Sequence, residues 1–242
     1  MIAVLIAYIK IRIHPIQLIG LTLLMSMLVL SPEDAAETWL FSMFLLGISF
    51  IVFRILDDAF SVTIDRKEHP ERTYLIPANF KSFKKITAIS IGVYLLTVGL
   101  MYSKIYFILL LLFISSLALY YLFGKQILVL KIIPLVKYPV LLYCVSMISW
   151  HEVKVEVLIA SFLLMAGFDS FDRVKVNSNS IWQPMLFLFC CSLFLFKPWL
   201  NYSYILFSLV PLLIIYLMRN NRIVPYFAIV FFPITFFILT HL

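Results

Sequence analysis

Apolar residues fall in long blocks along this chain, bounded by charges or prolines. Nine blocks stand out, at residues 16–30, 37–56, 86–102, 105–123, 132–150, 155–168, 182–196, 202–218 and 224–242. A helix that crosses the hydrocarbon of a bilayer needs about 20 mostly apolar residues, so the pattern predicts nine transmembrane helices. The longest polar stretch runs over 57–85. Ahead of the first block, residues 1–13 are apolar but broken by Lys10 and Arg12 and closed by His14-Pro15. Without a leading basic region or a small-residue cleavage site this segment does not read as a signal peptide. It reads as an interfacial helix leading into the first span.

Composition strengthens this picture. Of 242 residues, 64% are hydrophobic and 13% charged, and mean hydropathy is +1.06. Water-soluble domains carry about 25% charged and about 45–50% apolar residues. The expected class is therefore an all-α polytopic membrane protein, a single domain over 1–242. Cys144, Cys190 and Cys191 lie inside apolar runs, and an odd count gives no disulfide framework. Sparse charge and six glycines also exclude a nucleic-acid module, despite a net charge of +7.

The positions of the cations explain that excess. With the N-terminus inside, the inner segments hold fourteen of them: Lys10, Arg12, Arg66, Lys67, Arg72, Lys81, Lys84, Lys85, Lys125, Lys131, Arg173, Lys175, Arg219 and Arg222. The outer loops hold three, Lys104, Lys154 and Lys197. Lys and Arg accumulate on the cytoplasmic side, so the expected location is the cytoplasmic membrane of a prokaryote, with the N-terminus and both acidic segments facing the cytoplasm.

Carboxylates are scarce, and five of the twelve fall in two places on that side. At about 100° per residue, Arg54, Asp58, Ser61 and Asp65 share one helix face at the end of the second span, with Asp57 beside them. Asp169 and Asp172, three apart, share a side at the end of the sixth. Two such patches suit magnesium, which takes a few carboxylates and completes its shell with water and substrate phosphate. Arg54, Arg66, Lys67, Arg72, Lys125, Lys131 and Arg173 are then the groups to hold diphosphate oxygens. Acids at span ends are also often just solvated, which is the plain alternative for either patch alone. Lys81, Lys84 and Lys85 read as a positive flank that orients the third span.

The run Arg54-x-x-Asp57-Asp58-x-x-Ser61-x-x-x-Asp65-Arg66-Lys67-x-His69-Pro70-Glu71-Arg72 resembles the first aspartate-rich signature of the UbiA superfamily of intramembrane prenyltransferases. Phe168-Asp169-Ser-Phe-Asp172-Arg173 resembles its second acidic motif. The resemblance implies nine helices around a central cavity and Mg²⁺-dependent transfer of a prenyl group from an isoprenyl diphosphate to an acceptor in the bilayer. It implies magnesium ligands at Asp57, Asp65, Asp169 and Asp172, with Asp58 as a further acid and Asp65 and Asp169 as the catalytic pair. Lys125 and Arg72 match basic positions used for the diphosphate. The chain departs from the family at Ser61, where the middle aspartate is expected, and in the three-residue spacing of the second motif.

Other polar residues are less specific. Tyr138, Tyr143 and Trp150 suit either a chamber that stabilises an allylic cation or ordinary packing. His14, His69, His151 and His241 have no metal-ligand spacing, and no Walker loop, dinucleotide fingerprint or nucleophile elbow is present. Two alternatives to prenyl transfer remain open at this point: a terpene cyclase of the same fold, and a non-catalytic member that has lost an essential ligand.

Overall fold

The computed structural model describes residues 2–60, 62, 65, 66, 70, 72–101, 108, 134–149, 152–174, 181–197, 200–218, 221 and 225–241. Among these residues there are nine α-helices, short 3-10 turns and no strand. The helices are α1 (Ile2–Arg12), α2 (Pro15–Ser26), α3 (Ala36–Phe60), α4 (Pro77–Met101), α5 (Lys137–Ser149), α6 (Val155–Val174), α7 (Trp182–Phe196), α8 (Ile205–Leu217) and α9 (Pro225–His241). Eight of the nine predicted spans carry a helix, and the ninth helix, α1, is the one expected to be interfacial. The predicted fourth span lies outside the described residues apart from Ile108.

Length separates these helices. Ala36–Ala59 and Pro77–Leu100, 24 residues each, are long and apolar enough to cross a membrane. At about 1.5 Å per residue each is about 36 Å long, against a hydrocarbon thickness of about 30 Å. α1 and α2 pass the same test together, but they are bent by 67° at the break before Pro15. Proline suits the first turn of α2 because its missing N–H is one that a helix start leaves unpaired. The apolar helices α5, α7, α8 and α9 are shorter.

Two compact units are present, Met1–Thr22 with Leu40–Leu110 and Leu23–Trp39 with Leu111–Leu242. In the first, α1 and α4 both pack on the 3-10 turn Thr73–Leu75. Tyr8, Ile55, Val62, Tyr74, Leu75 and Phe83 form a buried core there. Further along α3, Phe53 meets Tyr94 of α4 edge-on, with centroids 6.1 Å apart. The Ser49 hydroxyl donates to the Leu45 carbonyl, and the Tyr94 hydroxyl lies 3.0 Å from it.

The boundary that differs most from the sequence expectation is the start of α4. α4 begins at Pro77, nine residues before the predicted start at 86, so Lys81, Lys84 and Lys85 lie on a helix rather than in a loop. Phe83, Ile86 and Thr87 are buried while these lysines are exposed. This first stretch is amphipathic, which a search for uninterrupted apolar runs passes over.

In the second unit α6 packs against α7, and Gly167 of α6 faces Leu188 of α7 closely. A Cβ at Gly167 would stand 2.8 Å from Leu188 Cγ and 3.3 Å from the Pro184 carbonyl. α7 ends at Lys197, whose φ of 45° is left-handed and whose N–H donates to the Leu193 carbonyl. Its Nζ donates to Glu156 Oε1 at 2.8 Å, tying the end of α7 to the start of α6. Phe196 and Phe232 then join α7 to α9, with centroids 5.9 Å apart.

Candidate functional site

The first acidic motif sits where α3 ends in the first unit, and its two buried acids are each met by an arginine and a tyrosine. Asp58 is 2% exposed. Arg12 at the last turn of α1 grips it with a fork, Nε donating to Oδ2 at 2.8 Å and Nη2 to Oδ1. The Tyr8 hydroxyl, one turn earlier on α1, donates to Oδ2 at 2.8 Å, and Arg54 stands 3.8 Å away from the same oxygen. Planar fork-to-carboxylate pairing is the geometry an arginine makes best. A carboxylate taken this far from water requires that degree of compensation.

Asp65 repeats the arrangement. Arg72 Nη1 lies 2.8 Å from Oδ1, and the Tyr74 hydroxyl donates to Oδ2 at 3.2 Å. Arg72 also donates to the Tyr74 hydroxyl at 3.3 Å. The two clasps share an aromatic wall. Tyr8 meets Tyr74 edge-on with centroids 5.4 Å apart, and both rings lie against Phe83, at 5.3 and 4.7 Å. Burial, followed by the charge of Asp58, pushes the Tyr74 phenol up to about 12. The same two causes raise Tyr8 further. Both hydroxyls therefore stay protonated and remain donors to the carboxylates at neutral pH.

A third group of charges adjoins this wall. Phe80 packs on the same core, and both Arg66 and Lys84 are set over its ring, with Cζ 4.9 Å and Nζ 4.8 Å from the centroid. Neither cation has a carboxylate partner among the described residues. At this end of the unit the described cations Arg12, Arg54, Arg66, Arg72 and Lys84 outnumber the carboxylates Asp57, Asp58 and Asp65 by five to three.

The remaining predicted residues are distributed as follows. Asp57 is exposed on the last turns of α3, and Asp169 is half-buried on α6 in the second unit, next to Phe168, whose ring meets Tyr226 edge-on at 5.2 Å. Asp172 and Arg173 lie in the last turn of α6, with only their backbone described. Ser61, Lys67, Lys125 and Lys131 lie outside the described residues.

Magnesium, which the resemblance implies, does not fit Asp58 and Asp65 in this arrangement. Among the described residues no three His, Cys, Asp or Glu side chains come together to hold a metal ion. More directly, the carboxylates of Asp58 and Asp65 are already engaged by arginines, so a cation there would have to displace a partly buried guanidinium. Sequence reasoning missed Arg12, Tyr8, Tyr74 and Lys84 at this site. Arg12 carried a signal, being one of two cations in an otherwise apolar N-terminal segment. The tyrosines carried none. No protein-family model, curated protein or solved structure matches the chain.

Proposed function

We propose that this chain is an integral membrane protein of UbiA type that binds an isoprenyl diphosphate at the end of α3 and transfers its prenyl group to an acceptor in the bilayer. The observation that carries the reading is the excess of cations around the acidic motif, five against three among the described residues. An apolar chain with an anion-binding end suits a substrate that is a hydrocarbon at one end and a diphosphate at the other. High hydropathy, the two helices of crossing length and the many aliphatic side chains exposed along α2, α3 and α4 favour a lipid environment.

In this reading the bond between the first prenyl carbon and the diphosphate oxygen breaks, and its electron pair leaves with the diphosphate. Cationic side chains stabilise the charge that accumulates on the leaving group, a contribution that grows in a water-poor site. The allylic cation is captured by the nucleophilic acceptor, which then loses a proton. No step is routed through a metal. The apolar wall of Tyr8, Tyr74 and Phe83 keeps water from the charged groups beside it.

A second reading is favoured by the pairing of both buried acids with arginines together with Ser61. In a non-catalytic member these pairs serve as structural clasps, and the protein holds a prenyl lipid without cleaving it. Labelled isoprenyl diphosphates of several chain lengths, incubated with the protein in nanodiscs, separate these cases. Prenyl transfer gives diphosphate release that depends on an added acceptor. A cyclase releases a hydrocarbon or alcohol with no acceptor present, and binding without diphosphate release supports the carrier. Absence of binding to every chain length rejects the proposal.

A further inference from the structure

We infer that the first acidic motif is neutralised from within the chain and that the site takes the phosphate end of its ligand on Arg66 and Lys84 without a divalent metal. This rests on the proposed reading for the ligand being a diphosphate. The charges divide into two sets. Arg12 and Arg72 are engaged with Asp58 and Asp65 in charge-assisted contacts of 2.8 Å, and they supply at those acids the positive charge that a divalent ion would otherwise bring. Arg66 and Lys84 have no such engagement among the described residues. Each sits within 5 Å of the centre of the Phe80 ring, so their charged groups are no more than about 10 Å apart.

Two exposed cations gathered at one ring attract an anion that lies between them, which relieves their mutual repulsion. A phosphate or diphosphate that accepts one charge-assisted hydrogen bond of about 2.8 Å from each side bridges a gap of that order. The Phe80 ring attracts both cations while leaving their remaining N–H groups to a ligand. Lys81 and Lys85, exposed on the same turns of α4, and the positive end of that 25-residue helix add to the field. The ligand chemistry is a phosphate-bearing anion, whether the diphosphate of a prenyl donor or the headgroup of an anionic lipid.

The test is calorimetric binding of inorganic pyrophosphate, and of farnesyl diphosphate, to the full chain in phosphatidylcholine nanodiscs, first with EDTA and then with excess Mg²⁺. The affinity in EDTA is expected to lie within about tenfold of that in Mg²⁺. Arg66→Gln and Lys84→Gln should each weaken it by about tenfold or more, the value of one charged hydrogen bond, whereas Lys84→Arg keeps it. Thermal unfolding of the same variants shows that they are folded. Binding that appears only with Mg²⁺ overturns the inference and leaves the proposed function standing. No binding in either condition overturns both. Metal-free binding that survives both glutamine substitutions overturns the assignment to this pair. Replacing part of the phosphatidylcholine by phosphatidylglycerol identifies the source: competition that vanishes in Lys84→Gln means a headgroup occupies the pair, and its absence means a soluble diphosphate does.

Discussion

Burying the carboxylate of Asp58 is costly unless every lone pair finds a donor, and Arg12, Tyr8 and Arg54 are the groups that meet this cost. Removing one member of a buried pair costs about 3–5 kcal/mol because the other charge is left uncompensated. Arg12→Gln and Asp58→Asn should each lower the thermal unfolding temperature in detergent, and the double variant should lose less than the two combined, with a coupling of about 0.5–3 kcal/mol. Strict additivity would mean that the clasp does not form. The phenols give a second, independent observable. Folding raises Tyr74 from 10.0 to about 12, so its contribution to stability is fully present below pH 10 and is lost as pH rises through about 12. Unfolding temperature should therefore fall across that alkaline window and fall less steeply in Tyr74→Phe; a flat profile in the unmodified protein refutes the assignment. Asp58 and Asp65 were legible in the sequence as rare acids on one helix face. Their partners were less so, since Arg12 and Tyr8 lie 46 and 50 positions from Asp58 and no periodicity links segments that far apart.

α7 occupies the predicted block 182–196 residue for residue, because an Asn/Ser stretch precedes it, Lys197-Pro198 closes it and no charge interrupts it. α4 did not yield to the same rule. Its first turns alternate lysines with Phe80 and Phe83, and a rule that counts charge as loop stops short of an amphipathic helix end. Close packing was equally invisible from local pattern. Gly167 sits in an apolar helix with no turn signal, yet a Cβ there would stand 2.8 Å from Leu188 Cγ, so a side chain forces Leu188 or the helices to shift. Gly167→Ala should destabilise by about 1–3 kcal/mol through overpacking, offset in part by about 1 kcal/mol of helix propensity. Gly92→Ala in α4, where nothing lies within 4 Å, should instead stabilise by up to about 1 kcal/mol. If both variants move in the same direction, propensity rather than the α6–α7 contact governs Gly167. At the end of α7 the left-handed Lys197 makes a similar contrast. Both Lys197→Gly and Lys197→Ala lose the bond to Glu156, but glycine adopts that conformation freely, so it should be the more stable variant by about 1–2 kcal/mol. Equal stabilities would show that the backbone there relaxes.

Arg12, Arg54, Arg66, Arg72 and Lys84 come to one end of the first unit through contacts that owe nothing to a membrane, and all but Arg54 were assigned to the cytoplasmic side by charge counting alone. In the second unit Lys197 bonds to Glu156, two positions after Lys154, so two of the three cations assigned outside also share an end. Helices of crossing length give these ends meaning only if a bilayer lies along them, and the placement of the N-terminus inside predicts which end faces which compartment. Cysteine substitution reads this out directly. Lys81→Cys is exposed on α4 beside the cationic site, and Lys154→Cys precedes α6. The native Cys144 and Cys191 are buried and Cys190 is partly so, which favours a low background in the unsubstituted protein. In intact cells a membrane-impermeant maleimide should label Lys154→Cys and spare Lys81→Cys, and permeabilisation should expose Lys81→Cys. Labelling of Lys81→Cys from outside would invert the topology and place the cationic end of the first unit outside the cell. Labelling of both from outside would mean that the chain between Lys81 and Lys154 crosses an even number of times, against the three spans predicted there, and the nine-span count would fall.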